Sequence, residues 1–184
     1  MNAPAAWSAI TLLPLILLGL PVSAQTTDAE LVDHLRSNAP ECGRFEQSRW
    51  LADFEMQLES SGEFQRQADG LIWRTTQPVS SEIVLSANNP DLPLGYQAIL
   101  PVFNGLLAGD WQRLDEYFST QLSGSLTAWR AELTPRNEQV AAQLVALTIE
   151  GAEQLEHIAL TFGDGDRMDI RLAATPCPPS TDTP

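Results

Sequence analysis

The sequence predicts an α+β domain in which an antiparallel sheet buries one apolar face under a small number of helices. Short runs with an apolar residue at every second position recur along the chain, and glycine, proline and asparagine separate them. Two or three segments have apolar residues at helical spacing instead. A sheet with one apolar face must cover that face, and these helices are the available cover.

The first 24 residues have the pattern of a secretory signal that is removed on export. An apolar run over residues 10–20 is followed by the small residues Val22, Ser23 and Ala24, which suit a signal peptidase. This run is roughly half the length that a membrane-spanning helix needs. We therefore expect cleavage after Ala24 and a mature domain that works outside the cytoplasm. The alternative is a buried N-terminal helix.

Residues 25–176 are expected to form a single domain, because this length supports one core but not two. Residues 177–184 are rich in proline and threonine and are expected to be disordered. The chain has 24 acidic residues against 10 basic ones, which gives a formal net charge of −14. Such a charge repels phosphate backbones and anionic lipid headgroups, so nucleic-acid binding is excluded as a function class.

Cys42 and Cys177 are the only cysteines of the chain. In an oxidising compartment an isolated pair is more often a disulfide than two free thiols. We expect a bridge between them that ties the segment after the first helix to the C-terminal tail. Two free thiols are the alternative.

The first elements of the mature chain are one helix and a group of strands. Residues 28–36 have helical spacing, with acidic residues in the first turn, and the helix must end before Pro40. Three or four antiparallel strands follow, separated by Gly62, Gly70 and Pro78. The residues that share one face of the first strand are Phe45, Gln47, Arg49 and Leu51.

The middle of the chain contains the second and third predicted helices. Residues 96–108 leave almost no polar face, so this helix must be covered on most sides, either as a buried helix or as a mobile lid. Pro101 fits only if it lies in the first turn. A further helix is predicted over residues 111–118, with Asp110 as its N-cap.

Five more strands are predicted after the helices, which gives about eight in all. Their ranges are 121–126, 128–133, 143–149, 154–162 and 167–173. Residues 163–166, Gly-Asp-Gly-Asp, join the last two. A calcium loop would need further oxygen ligands that are missing here, whereas Asp-Gly between two alternating strands is a strong hairpin signal. We therefore predict a turn.

The sequence contains no pattern typical of a catalytic or metal site. His34 and His157 are the only histidines, and neither has a cysteine, aspartate or second histidine at ligand spacing. A Gly-x-Ser-x-Gly elbow and a phosphate-binding loop are both missing from the sequence. We expect a protein that is not an enzyme and that uses no cofactor or metal.

A series of short signatures follows the predicted strands in order. They are Phe45-Glu-Gln47, Ser60-Ser-Gly62-Glu-Phe64, Gly70-Leu-Ile-Trp73, Gln77-Pro78, Leu133-Thr-Pro135 and the closing Asp-Gly hairpin. Together they span about residues 44–172, nearly the whole mature domain. In this order the series resembles the periplasmic outer-membrane lipoprotein carriers, the LolA-like family.

The resemblance implies an incomplete, half-open antiparallel β-barrel whose concave apolar face is closed by helices. It also implies a periplasmic carrier, expected to be a monomer, that moves acyl chains of lipoproteins towards the outer membrane, between an inner-membrane donor and an outer-membrane acceptor. Gln67 and Ala68 stand where these carriers usually have an Arg-Pro pair that helps to hold the lid. The chain therefore looks like a divergent member, and a lipid other than a lipoprotein is the alternative cargo.

The resemblance and the apolar pattern together nominate a set of cavity residues. They are Phe45, Phe64, Leu71, Trp73, Ile83, Leu85, Ile99, Val102, Phe103, Leu106, Leu147, Ile149, Ile158, Leu160 and Phe162. A slip of one residue in any strand would exchange its two faces. The rival interpretation is an envelope sensor or adaptor that uses the same fold to bind a protein partner.

Overall fold

A computed structural model of the protein describes residues 28–68, 70–86, 89, 92, 100, 102, 103, 105 and 111–179. The expected signal, over residues 1–24, lies outside the described residues. So do residues 180–184 of the tail and most of the predicted apolar helix, including Ile99 and Leu106.

Within the described residues, nine strands and three short helices have defined bounds, and Leu100, Val102, Phe103 and Gly105 are also helical. The helices are α1 (Asp28–Ser37), α2 (Trp111–Tyr117) and α3 (Glu138–Ala141), and a 3-10 turn spans Ala52–Phe54. The strands are β1 (Cys42–Leu51), β2 (Met56–Gln67), β3 (Gly70–Gln77), β4 (Ser81–Ser86), β5 (Phe118–Ser125), β6 (Ala128–Pro135), β7 (Leu144–Gly151), β8 (Leu155–Phe162) and β9 (Arg167–Ala174).

Two details differ from the sequence-based expectation. The strand count is nine, because four strands precede the helical middle of the chain. Phe118 was expected to end a helix but begins β5, where it is fully buried and pairs with Pro135 of β6. An aromatic residue between a helix and a strand is compatible with either element, and the pairing with β6 places Phe118 in the strand.

All nine strands form one sheet in the order β4-β3-β2-β1-β9-β8-β7-β6-β5. Consecutive strands pair as antiparallel hairpins from β1 to β4 and from β5 to β9, and the antiparallel pairing of β9 with β1 joins these two groups. The strands β4 and β5 stand at the two ends of this order, and no ladder joins them within the described residues. The predicted class, α+β with an incomplete antiparallel barrel, is confirmed.

One face of the sheet is buried, and we call it the inner face. The strands β6 and β9 show strict alternation between buried and exposed residues. Their inward residues are Trp129, Ala131 and Leu133 in β6, and Met168, Ile170 and Leu172 in β9. A strand places alternate side chains on opposite faces, so this pattern requires one solvated and one covered face.

Helical residues supply the cover of the inner face. Leu31 and Leu35 of α1 are buried in the same cluster as the inward residues of the sheet. From the middle of the chain, Val102 and Phe103 are helical and buried, and Leu114 of α2 is fully buried. In the described residues, no helix is both long and apolar enough to cross a membrane.

The cysteine pair and the closing hairpin agree with their predictions. Cys42, at the start of β1, forms a disulfide with Cys177, and their Cα atoms are 5.1 Å apart. Residues 163–166 make the turn between β8 and β9. Gly165 has φ of 90° there, a conformation that glycine adopts without strain.

Candidate functional site

Every nominated cavity residue that the structure describes belongs to the core, on the inner face or, for Val102 and Phe103, in the helical cover above it. Ile83 and Phe162 are half-buried and pack against the cluster, and the others are buried within it. The two that lie outside the described residues are Ile99 and Leu106. The strand parity chosen from the sequence therefore agrees with the faces in the structure, and a role in holding a guest remains a prediction for all of them.

An aromatic group covers the part of the inner face formed by β1, β2 and β3. Trp73 stacks on Phe45 with 3.8 Å between ring centroids, and Phe64 lies nearly parallel to it at 6.3 Å. Phe103 meets Trp73 edge to face at 5.2 Å. The Trp73 indole is therefore a contact point between the sheet and the helical segment above it.

Gly62 makes room for this group. It lies directly opposite Phe45 in the β1–β2 ladder. A Cβ atom at Gly62 would come within 2.0 Å of the Arg74 carbonyl oxygen and 2.8 Å of the Phe45 ring. The Phe45 ring thus lies over a strand position without a side chain, which allows it to lie flat against the sheet.

The inner face continues into solvent at one end, where the β1–β2 hairpin extends past β3. In the β1–β2 ladder Leu51 faces Met56 and Arg49 faces Leu58, in phase with Phe45. Met56 and Leu58 are 45% and 46% exposed. We call Leu51, Met56 and Leu58 the lip, because they carry the apolar face out of the covered region.

An ion pair lies beside the lip. Nη2 of Arg49 donates a hydrogen bond of 2.7 Å to Asp166, and the Arg49 guanidinium lies 5.9 Å from the centre of the Phe162 ring. The other oxygen of Asp166 accepts a hydrogen bond from the backbone N–H of Ala52 at 2.9 Å. This backbone donor, followed by Arg49, lowers the pKa of Asp166 below its usual value.

The outer face carries a polar ladder across four strands. The two ring nitrogens of His157 lie 3.3 Å from Glu150 and 2.9 Å from Asp169. Arg130 of β6 donates a further hydrogen bond to Glu150. The contact with His157, and then that with Arg130, lowers the pKa of Glu150. Among the described residues, no group of three or more His, Cys, Asp or Glu side chains is placed to hold a metal ion.

Sequence reasoning placed some inner-face residues correctly but did not nominate others. The missed residues include Trp129, Ala131, Leu133, Met168, Ile170 and Leu172. Their strands were predicted, and the period of two within each strand was the signal that could have identified them. Asp166 was missed for another reason, because a turn residue has no periodic partner that predicts its contact with Arg49.

The chain matches no protein-family model and no curated protein. Among solved structures it is similar to the crystal structure of a LolA superfamily protein from Nitrosomonas europaea, with 11% sequence identity and a TM-score of 0.41. The match covers 86% of this chain and 98% of that chain. The likeness concerns the fold alone, and no residue role is transferred from it.

Proposed function

We propose that this protein is a periplasmic carrier that holds the acyl chains of a lipoprotein or another lipid against the inner face and releases them towards the outer membrane. It binds one cargo molecule per chain and catalyses no reaction. One observation carries the proposal: the inner face leads from the aromatic group at Phe45 to the exposed lip at Met56 and Leu58 without changing face, past Gln47 and Arg49 on β1 and along the apolar Ile170 and Met168 of β9.

The physical basis is the cost of moving an acyl chain through water. Each buried CH₂ group gains about 0.8 kcal/mol, so a lipid does not leave a membrane unless another apolar surface takes it up. The lip provides such a surface in contact with solvent, and Met168 and Ile170 of β9 lead from it into the buried cluster beside Arg49 and Gln47. A cargo chain can therefore slide inward without exposing much of its length.

The cover over the sheet is the part that has to yield to cargo. The edge contact between Trp73 and Phe103 joins the sheet to the helical segment, and Val102 next to it is fully buried. An acyl chain that entered between them would replace these contacts with its own. Such an exchange costs little, because both arrangements bury apolar surface of similar area.

Two sequence features and one structural feature support export and this cargo class. The N-terminal pattern is that of a cleaved signal, the order of signatures resembles the lipoprotein carriers, and the Cys42–Cys177 bridge suits an oxidising compartment. A donor at the inner membrane and an acceptor at the outer membrane complete the proposed route.

The test fills the inner face with a side chain. Ala131 is fully buried and lies opposite Leu122 of β5 and Ile149 of β7. If the inner face holds a guest, Ala131→Phe places a ring in the guest's space, so the variant folds but no longer binds a fluorescent C16 acyl probe. If the side chains already pack solid, the ring overpacks the core and costs about 1–3 kcal/mol of unfolding free energy.

The matched control is Ala159→Phe on β8. Ala159 is half-buried between the inward residues Ile158 and Leu160, so its side chain points to the outer face. This variant should bind the probe as the wild type does. A wild-type chain that binds no probe, together with a destabilised Ala131→Phe variant, would reject the carrier function.

A protein-binding adaptor is the second candidate, and a free strand edge favours it. The β2–β3 ladder begins at Ser61, so the described structure pairs residues 56–60 with β1 on one side only. Such an edge can accept an extended peptide as an added strand. Hydrogen exchange separates the two functions: the acyl probe protects inner-face strands of a carrier, whereas it leaves an adaptor unchanged.

A further inference from the structure

Arg49 is a charged residue on the apolar inner face. It shares that face with Phe45, and its neighbours across the two flanking ladders are Leu58 on β2 and Met168 on β9. Met168 belongs to the buried cluster, whereas Leu58 belongs to the lip. Arg49 therefore stands where the covered part of the face meets solvent.

The guanidinium of Arg49 is only partly used by the protein. Within the described residues its Nη2 donates to Asp166, while its Nε is buried without a hydrogen-bond partner. The side chain is 40% exposed, whereas that of Asp166 is 10% exposed. A guanidinium carries five N–H donors in a fixed plane that matches carboxylate and phosphate oxygens. Asp166 thus uses one donor of the group and leaves others for a second anion.

We propose that Arg49 binds the anionic headgroup of the cargo, a carboxylate or a phosphate, while the acyl chain lies along the inner face. This inference rests on the proposed carrier function and adds to it the charge of the cargo headgroup and the place where that headgroup binds. From Arg49 to Gly43, six residue-to-residue steps along β1, the face extends about 20 Å, which is the scale of a long acyl chain. A headgroup at Arg49 would leave that length for the chain.

The negative charge around the lip repels anions in general, so the contact with Arg49 is selective for an anion that reaches the guanidinium itself. Asp53 and Glu55 are exposed on the turn after β1, and the chain as a whole carries a net charge of −14. An anion that stayed in the solvent near this end would be repelled. Only an anion that hydrogen-bonds directly to the guanidinium is stabilised there, because hydrogen bonds between charged groups are strong at short range.

The experiment compares three probes of equal chain length, hexadecanoate, hexadecyl phosphate and neutral hexadecanol. Each displaces a fluorescent acyl probe from the wild type, from Arg49→Gln and from Asp166→Asn. We expect the wild type to bind at least one anionic probe roughly tenfold more tightly than hexadecanol. Arg49→Gln should lose this preference and keep its affinity for hexadecanol.

Asp166→Asn is the matched control for the ion pair. It breaks the same pair but keeps an oxygen that can accept from the Ala52 N–H, and it leaves the guanidinium in place. We expect its preference for the anionic probe to be equal to or greater than that of the wild type. The two variants should lose similar amounts of thermal stability, so a difference in anion preference reports on the headgroup and not on folding.

The outcomes separate this inference from the carrier function. Equal affinity of the wild type for all three probes would overturn the role of Arg49 and leave the carrier intact. Equal loss of preference in Arg49→Gln and Asp166→Asn would also overturn it, because the pair would then be structural. Failure of all three probes to bind would reject the carrier function, and this inference with it. The relative affinities of the carboxylate and the phosphate distinguish the two headgroups.

Discussion

Trp73 connects the sheet to its cover, and its position depends on a residue without a side chain. Trp73 stacks on Phe45, and the Phe45 ring lies over Gly62 on the neighbouring strand. The sequence indicated that these aromatic residues point inward, because alternate positions in their strands are apolar. It could not indicate that Gly62 lies beneath a ring, since that requires the register between β1 and β2.

Asp166 should make stability depend on pH. Its pKa is lower in the folded chain than its ordinary value of 3.8, so its contribution is fully present above that value and is lost as the pH falls through the lowered pKa. We expect Asp166→Asn to lose about 1 kcal/mol near neutral pH, a modest figure because Arg49 is partly solvated. The unfolding free energy of the variant should also fall less than that of the wild type between about pH 5 and pH 2.

Chemical denaturation at a series of pH values measures both effects. Arg49→Gln is the comparison, because it removes the second cause of the lowered pKa and keeps the first, the Ala52 N–H. Its pH curve should lie between those of the wild type and Asp166→Asn. Identical slopes in the wild type and Asp166→Asn would contradict this account of the ion pair.

Among the elements, the β1–β2 hairpin is where the apolar face meets solvent. Leu58→Asp places a charge on the lip, where Leu58 is already 46% exposed. We expect the unfolding free energy to change by less than about 0.5 kcal/mol, as for most surface substitutions. Binding of the acyl probe should weaken roughly fivefold or more, because a partly buried apolar contact is lost.

Gln57→Asp is the control for the lip. Gln57 is exposed and lies next to Leu58 in β2, so its side chain points to the opposite face. Gln57→Asp introduces the same charge as Leu58→Asp at the same end of the hairpin. Equal weakening of probe binding in both variants would assign the effect to net charge and not to the lip.

The disulfide should stabilise the junction between β1 and the segment after β9. A backbone hydrogen bond from Thr175 to Cys42 already joins the two, and the bridge spans 135 residues of sequence. Replacing both cysteines by serine should lower the unfolding free energy by about 2–5 kcal/mol. Denaturation of the wild type with and without reductant gives the same comparison. If the unfolding free energy is the same with and without the disulfide in both experiments, the β1–β9 ladder alone stabilises this junction.

Element boundaries followed from sequence where local signals agreed with the tertiary structure. The helix α1 extends one residue past its expected end at Arg36, and the Asp-Gly signal located the β8–β9 turn. The start of β5 was placed three residues late, at Gln121. Residues 118–120 pair with β6, and only knowledge of that partner strand moves the boundary.

For the whole molecule, the closure between β1 and β9 was the feature least accessible to sequence analysis. The hairpins between consecutive strands follow from short turns, whereas the β1–β9 pairing joins residues more than a hundred positions apart. The residue pattern within one strand does not specify so distant a partner strand. Only the expected Cys42–Cys177 bridge indicated that the start of β1 lies near the end of the chain. The prediction of a half-open barrel came from the family resemblance and not from the periodicity of apolar residues.

The carrier account requires that the inner face take up a molecule from the cell envelope. The most direct measurement is organic-solvent extraction of the purified, exported chain, followed by mass spectrometry of the extract. We predict about one acyl-bearing molecule per chain from the wild type and from Ala159→Phe, and almost none from Ala131→Phe. An extract without any lipid from the wild type, with Ala131→Phe unfolding at lower denaturant because its core is overpacked, would contradict the account.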